Sequence, residues 1–106
     1  MEKKSVAFYE ARASVARALA HPSRLLILEA LQEHEMCVCE LTDLVGSDQS
    51  TVSKHLAVLK QIGLLETRKE GPMVFYRLRI TCLNGFFSCV ESVLKQKRES
   101  ELAIFG

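Results

Sequence analysis

Apolar residues recur along this chain with helical spacing, interrupted once by a stretch that alternates. In residues 5–19, Phe8, Ala11, Val15 and Leu19 lie three and four apart and share one helix face, with Arg12 and Arg17 off the stripe. A terminal helix of this kind packs on its own core or on a partner chain, and in so small a chain the partner is the favoured reading. His21-Pro22-Ser23 starts a second helix, because a proline in the first turn lacks only an N–H that the helix does not use. Leu25, Leu28 and Leu31 form its ridge, widened by Leu26 and Ile27. His21 reads as a boundary residue, and His34 as a solvated side chain in the polar turn Gln32-Glu33-His34-Glu35.

A short third helix, Cys39 to Val45, turns Leu41, Leu44 and Val45 inward and stops at Gly46. Ser47 and Asp48 are both suited to cap the next helix. That fourth helix, Gln49 to Ile62, carries the buried stripe Val52, Leu56 and Leu59 and ends at Gly63. From Leu64 to Arg79 the pattern alternates. Leu65, Thr67 and Lys69 oppose Glu66 and Arg68; after a Glu70-Gly71-Pro72 turn, Val74, Tyr76 and Leu78 oppose Phe75, Arg77 and Arg79. That is a hairpin with one wetter face. A last helix begins at Thr81 or Asn84 and runs to about Ser100, with Phe86, Phe87, Val90, Val93 and Leu94 on its apolar face. The charged segment Lys95 to Glu101 is expected to fray, and Leu102-Ala103-Ile104-Phe105 either folds back or stays loose.

Two helices joined by a three- or four-residue turn and succeeded by a basic hairpin predict a winged helix-turn-helix. The fold class is mostly α with a small β-hairpin, as a single domain over residues 1–106. Length and composition agree: 106 residues, 48% hydrophobic and 25% charged, hold one core and not two. No apolar run approaches the roughly 18 residues of a membrane span. Met1-Glu2-Lys3-Lys4-Ser5 leads into an amphipathic segment and not into an apolar stretch, so no signal peptide and no membrane partner are expected, and the location is expected to be cytoplasmic. No nucleophile–base set, phosphate loop or paired-carboxylate signature stands out, so no enzyme and no organic cofactor are expected.

Net charge changes the picture only when it is localised. The chain totals +1, yet between Ser50 and Arg79 six cations (Lys54, Lys60, Arg68, Lys69, Arg77, Arg79) stand against Glu66 and Glu70. Phosphates respond to that local excess. Gln49, Ser50, Thr51, Ser53, Lys54 and His55 fall on or near the face opposite the buried stripe, and they can reach base edges and phosphates. With Arg68, Lys69 and Arg77 of the hairpin they form the expected interface to double-stranded operator DNA. The competing readings are a winged helix used for protein contacts and, for His55, a polar residue capping the core edge. One reading helix makes few base contacts, whereas a homodimer reads two half-sites about 34 Å apart. The apolar first and last helices are the natural dimer surface.

Cys37-Val38-Cys39 is the sharpest chemical feature. In a reducing compartment, cysteines serve as ligands, redox thiols or core residues more often than as disulfides. Two thiolates one residue apart suit soft ions and not magnesium or calcium. On a helix, residues i and i+2 point about 200° apart, so one ion can hold both only on non-helical backbone or by unwinding the helix start. That start braces the reading helix, so coordination would strain the DNA-binding unit. The third ligand is open between Cys82 and Cys89, within the chain or across a dimer; if both are helical they lie about 10.5 Å apart along the axis. Thr42 is a poor soft donor. Two buried core cysteines are the alternative for the pair, and packing in the helix interface is the alternative for Cys82 and Cys89.

With these residues assembled, the chain resembles the ArsR/SmtB family of metal-responsive repressors, and within it the arsenic-type members. Ala18-Leu19-Ala20-His21-Pro22-Ser23-Arg24-Leu25 is similar to the approach to the family's second helix, and Met36-Cys37-Val38-Cys39-Glu40-Leu41 to its metal box. Ser50-Thr51-Val52-Ser53-Lys54-His55-Leu56 with Leu59 resembles its recognition helix, and Lys69-Glu70-Gly71 with Phe75-Tyr76-Arg77-Leu78 its wing. The resemblance implies a homodimer that represses a resistance or efflux operon and leaves DNA when As(III), Sb(III) or a similar soft ion binds. Arsenic-type members often carry a third cysteine three residues after the pair, where this chain has Thr42. The family's zinc site in the last helix is not reproduced. Other members sense thiol oxidation or persulfides through one early and one late cysteine, which makes a thiol-redox repressor the alternative function.

Overall fold

The computed structural model describes residues 4–105, and the expectation for residues 1–3 lies outside them. Five helices and three strands are arranged along the described residues in the order α1 (Val6–Leu19), α2 (Pro22–Leu31), β1 (Met36–Cys37), α3 (Val38–Val45), α4 (Gln49–Gln61), β2 (Leu65–Glu70), β3 (Met73–Leu78) and α5 (Leu83–Phe105). Side chains at the helix starts satisfy otherwise orphaned N–H groups. Ser5 accepts from the Phe8 N–H at 3.3 Å, His21 Nδ1 from the Ser23 N–H at 3.1 Å, and Asp48 from the Thr51 N–H at 2.7 Å. Of the two cap candidates before α4, Asp48 is the one used. Gly46 closes α3 at φ 77°, a left-handed conformation that favours glycine, and its N–H reaches the Thr42 carbonyl.

The hairpin registers as Leu65↔Leu78, Thr67↔Tyr76 and Glu70↔Met73, so its two-residue turn is Gly71-Pro72. Gly71, at φ 60°, supplies the positive φ that such a turn needs. The fold adds a third strand that the sequence pattern does not reveal. Met36 and Cys37 pair with Tyr76 and Phe75, making a sheet of order β1-β3-β2. Two residues are too few to show an alternating pattern, which is why β1 escapes the sequence.

The core gathers Ile27, Leu28, Leu31, Leu41, Val52, Leu56, Leu59, Leu64, Leu65 and Leu83. Met36, Tyr76 and Leu78 pack against it from one face of the sheet, leaving Cys37, Phe75 and Arg77 off that face by the pleat. Two sequence expectations need correcting here. The α2 ridge is Ile27, Leu28 and Leu31, while Leu26 is exposed; in α3, Leu44 is exposed and Leu41 alone is fully buried. The segment expected to fray, Lys95 to Glu101, is helical, and α5 continues through residues 102–105, which were expected to fold back or stay loose.

Terminal helices behave differently from this core. Among the residues whose burial is described, only Ala18 of α1 and Leu83 of α5 are buried. Phe86, Val90, Val93 and Leu94 line one exposed stripe of α5, with Val93 63% and Leu94 56% open to solvent. The radius of gyration is 16.9 Å, against about 13 Å for a globular chain of 100 residues. Extended arms, and not a swollen core, account for the excess. Among the described residues no helix is long and apolar enough to cross a membrane.

Candidate nucleic-acid interface and thiol groove

Burying Val52, Leu56 and Leu59 fixes the roll of α4 and so decides what it shows to solvent. Gln49, Ser50, Thr51, Ser53 and Lys54 are all exposed, clustered in its N-terminal half. The α3–α4 connection is short, because α3 ends at Val45 and α4 starts at Gln49. The Asp48 cap holds that start, and the Thr51 hydroxyl and N–H keep the Asp48 carboxyl below the usual carboxylate range.

His55 departs from the expected DNA-facing set. Only 8% of it is exposed; its Nδ1 accepts from Arg24 Nε at 3.1 Å, and its ring lies 4.4 Å from that of His21. Burial first, then the charges of His21 and Arg24, lower its pKa and so favour the neutral imidazole. Arg24 also reaches the Ala18 carbonyl. His55 therefore pins the reading helix to the start of α2, and the core-edge alternative is the structural outcome. The signal was in the sequence: 52, 55, 56 and 59 complete the i, i+3, i+4, i+7 stripe.

Basic residues of the wing divide into engaged and free. Arg68 pairs with Glu35, by a short contact from Nη2, and with Glu70 at 2.9 Å, while its guanidinium lies over Phe75, 4.8 Å from the ring centroid. The Glu35 carboxyl is held below its usual pKa and Arg68 above, each chiefly by their shared hydrogen bonds. Arg68 thus clamps the hairpin to the segment before β1, so it is not the free phosphate contact that its charge suggested. Arg77 pairs with Glu66 at 2.7 Å on the exposed surface. Lys69 and Arg79 are exposed, and among the described residues neither forms an ion pair. Lys60 donates to the Thr67 hydroxyl.

The two early cysteines lie on different backbone. Cys37 is extended (φ −84°, ψ 168°), sits in β1 and occupies the cap position of α3; Cys39 is already helical. The helix starts at Val38 and not at Cys39. One thiol is therefore off the helix, the condition under which a common guest can be held without unwinding α3. Cys37 is buried and Cys39 exposed. The Cys37 N–H donates to Glu40 Oε1 at 3.2 Å, and that bond, followed by the thiol, lowers the Glu40 pKa. Thr42 spends its hydroxyl on the Val38 carbonyl at 2.7 Å. Both cysteines line a groove of about 240 Å³ with Val38, Gln49, Pro72, Met73 and Val74. Cys82 lies just before α5 and Cys89 within it, both exposed. Among the described residues, no three His, Cys, Asp or Glu side chains converge, so neither late cysteine completes a site with Cys37 and Cys39 inside one chain.

A family profile described as "Bacterial regulatory protein, arsR family" matches residues 21–67, the span from the start of α2 to the start of the wing. The HTH-type transcriptional regulator MJ1325 of Methanocaldococcus jannaschii is 44% identical over 69 residues, covering 64% of this chain and 78% of its own. The chain belongs to the ArsR family. A Staphylococcus aureus homolog of the cadmium resistance transcriptional regulatory protein CadC is 40% identical over 67 residues, covering 62% of this chain and 55% of its own length. Among solved structures, the homodimeric winged helix-turn-helix DNA-binding domain Mb0332 of Mycobacterium bovis superposes with a TM-score of 0.76. It is 32% identical, and the match covers 94% of this chain and 95% of that one. This ArsR-family chain is accordingly a winged helix-turn-helix transcriptional regulator, and its relatives are DNA-binding regulators and not enzymes.

Proposed function

We propose that this ArsR-family protein is a cytoplasmic homodimeric repressor that leaves its operator when a soft ion, As(III) or Sb(III) among them, is held by Cys37 and Cys39. One observation carries the reading. The groove holding both thiols is also lined by Gln49, the first residue of α4, and by Pro72, Met73 and Val74 at the tip of the wing. Whatever binds there touches the brace, the reading helix and the wing together. Gln49, Ser50, Thr51, Ser53 and Lys54 read the major groove, and Lys69 tracks the backbone. Arg77 joins them by exchanging its exposed Glu66 partner for a phosphate. The exposed stripes of α1 and α5 cover each other across the dimer, which sets the half-site spacing. Two thiols suit a soft ion, and the name of the CadC homolog associates a relative with cadmium resistance.

The test is an operator-release titration with As(III), Sb(III), Cd(II), Zn(II) and peroxide on the wild type and on each Cys→Ser variant. Release by the soft ions, lost in Cys37→Ser and Cys39→Ser while operator binding persists, is expected. Ion-driven release that survives both substitutions would refute the reading. The thiol-redox alternative draws on the exposure of Cys39, Cys82 and Cys89. Release by peroxide alone, with a reversible cross-link to a late cysteine, would establish it instead.

A further inference from the structure

The sequence offered only Cys82 and Cys89 as third ligands, and neither reaches the pair within one chain. A third sulfur-bearing residue nevertheless lines the groove. Met73, the first residue of β3, lines it beside Cys37 and Cys39 and is 44% exposed. Strand register explains why. Cys37 pairs with Phe75, and Met73 precedes Phe75 by two residues on the same strand. Side chains alternate along a strand, so Cys37, Phe75 and Met73 share the sheet face away from the core. Diagonal cross-strand neighbours are about 7–8 Å apart, within reach of a long flexible side chain.

The groove lining holds no carboxylate or imidazole; its one harder side-chain donor is the neutral amide of Gln49, and the nearest acidic and hydroxyl groups in sequence are already engaged. The Glu40 carboxylate receives the Cys37 N–H, Glu35 and Glu70 are tied to Arg68, and the Thr42 hydroxyl is bonded to backbone. We infer that the Met73 thioether joins the Cys37 and Cys39 thiolates as the third donor, making an all-sulfur site for a soft monovalent cation of the Cu(I) class. Two thiolates and one neutral thioether suit such a cation, because soft sulfur ligands select Cu(I) whereas a thioether adds little for a harder or oxygen-seeking guest. The inference rests on the proposed soft-ion reading and narrows its inducer. It also makes the wing a ligand arm. With Met73 engaged, the start of β3 is tied to the start of α3, and the position of the wing relative to α4 depends on the ion.

Anaerobic titration with Cu(I) against a chromogenic Cu(I) chelator tests this, on the wild type, Met73→Leu and Cys37→Ser. Leucine matches methionine in bulk and lacks the donor, and at a half-exposed position it leaves thermal unfolding unchanged. Met73→Leu is expected to weaken Cu(I) binding at least tenfold while As(III) binding stays within twofold of wild type; Cys37→Ser abolishes both. Selenomethionine-labelled Met36→Leu protein should show copper bonded to selenium by X-ray absorption, and the Met36→Leu/Met73→Leu protein should not. Cysteine-dependent Cu(I) binding that is equal in wild type and Met73→Leu, with no selenium–copper contact, overturns this inference and leaves the soft-ion reading standing. No cysteine-dependent binding of Cu(I), As(III) or Cd(II) overturns both.

Discussion

The centre and the two ends of this chain both carry apolar helical stripes and differ in what covers them. In α2, α3 and α4 the apolar stripe closes on itself: Ile27, Leu28, Leu41, Val52, Leu56 and Leu59 are sealed from solvent. In α1 and α5 the same kind of stripe stays open, with Val6, Val15, Phe86, Val90, Val93 and Leu94 exposed. A helical hydrophobic period states that a face will be buried and is silent about whether its own chain or another one does it. The centre therefore closes its own core, and the ends carry the open apolar faces that the proposed dimer would cover.

The largest expected effect tests that division. Leu56→Ala empties a fully buried position and should destabilise the fold by about 2–5 kcal/mol in chemical denaturation. Leu94→Asp should leave the helix content of the chain intact and yield a monomer in analytical ultracentrifugation, with operator affinity falling along with the second half-site. A Leu94→Asp protein that still sediments as a dimer would place the interface elsewhere.

The same division explains what the sequence made legible. Long periodic segments were readable, because the α4 stripe and the hairpin alternation each repeat several times and their caps are local. Features that depend on a distant partner were not. The two residues of β1 pair with β3 across nearly forty positions, and no local pattern marks them. Arg68 looked like Lys69 in sequence; only the fold brings Glu35 to it. Cys37 and Cys39 were legible as soft donors, whereas Met73 entered their groove through strand register. His55 is the instructive exception, since its periodicity already placed it on the buried stripe.

Lys54 and Arg68 sharpen the contrast at a smaller scale. Both are basic residues of the reading head, one free and one engaged. Lys54→Ala should change stability by less than about 0.5 kcal/mol. If it removes one phosphate contact per protomer, it should lower the slope of log affinity against log salt by about 0.9 for each contact. Arg68→Ala should reverse the pattern: a loss of stability in chemical denaturation larger than that of Lys54→Ala, because the clamp to Glu35 and Glu70 is removed, with little change in the salt slope. Equal salt slopes for the two variants would mean that Arg68 leaves Glu35 to meet DNA.

The smallest effect concerns His55, which belongs to the reading helix by sequence and to the core edge by packing. Its pKa in the fold lies below the unfolded value, so the unfolded chain binds the proton more readily. His55 therefore contributes stability that is fully present above about pH 6.5 and is lost as pH falls from there through the folded pKa. Burial sets this first, and the His21 ring at 4.4 Å and Arg24 on Nδ1 add to it; a proton on Nδ1 would meet the Arg24 guanidinium and forfeit its hydrogen bond. His55→Gln keeps an acceptor without a titrating ring, so its stability should fall less than wild type between pH 7 and pH 5. Operator affinity measured at pH 7 should change less than in Lys54→Ala, because the side chain faces α2 and not DNA. Parallel pH–stability curves for His55→Gln and wild type would assign the acid loss to another group, and a fall in affinity larger than that of Lys54→Ala would return His55 to the DNA-reading surface.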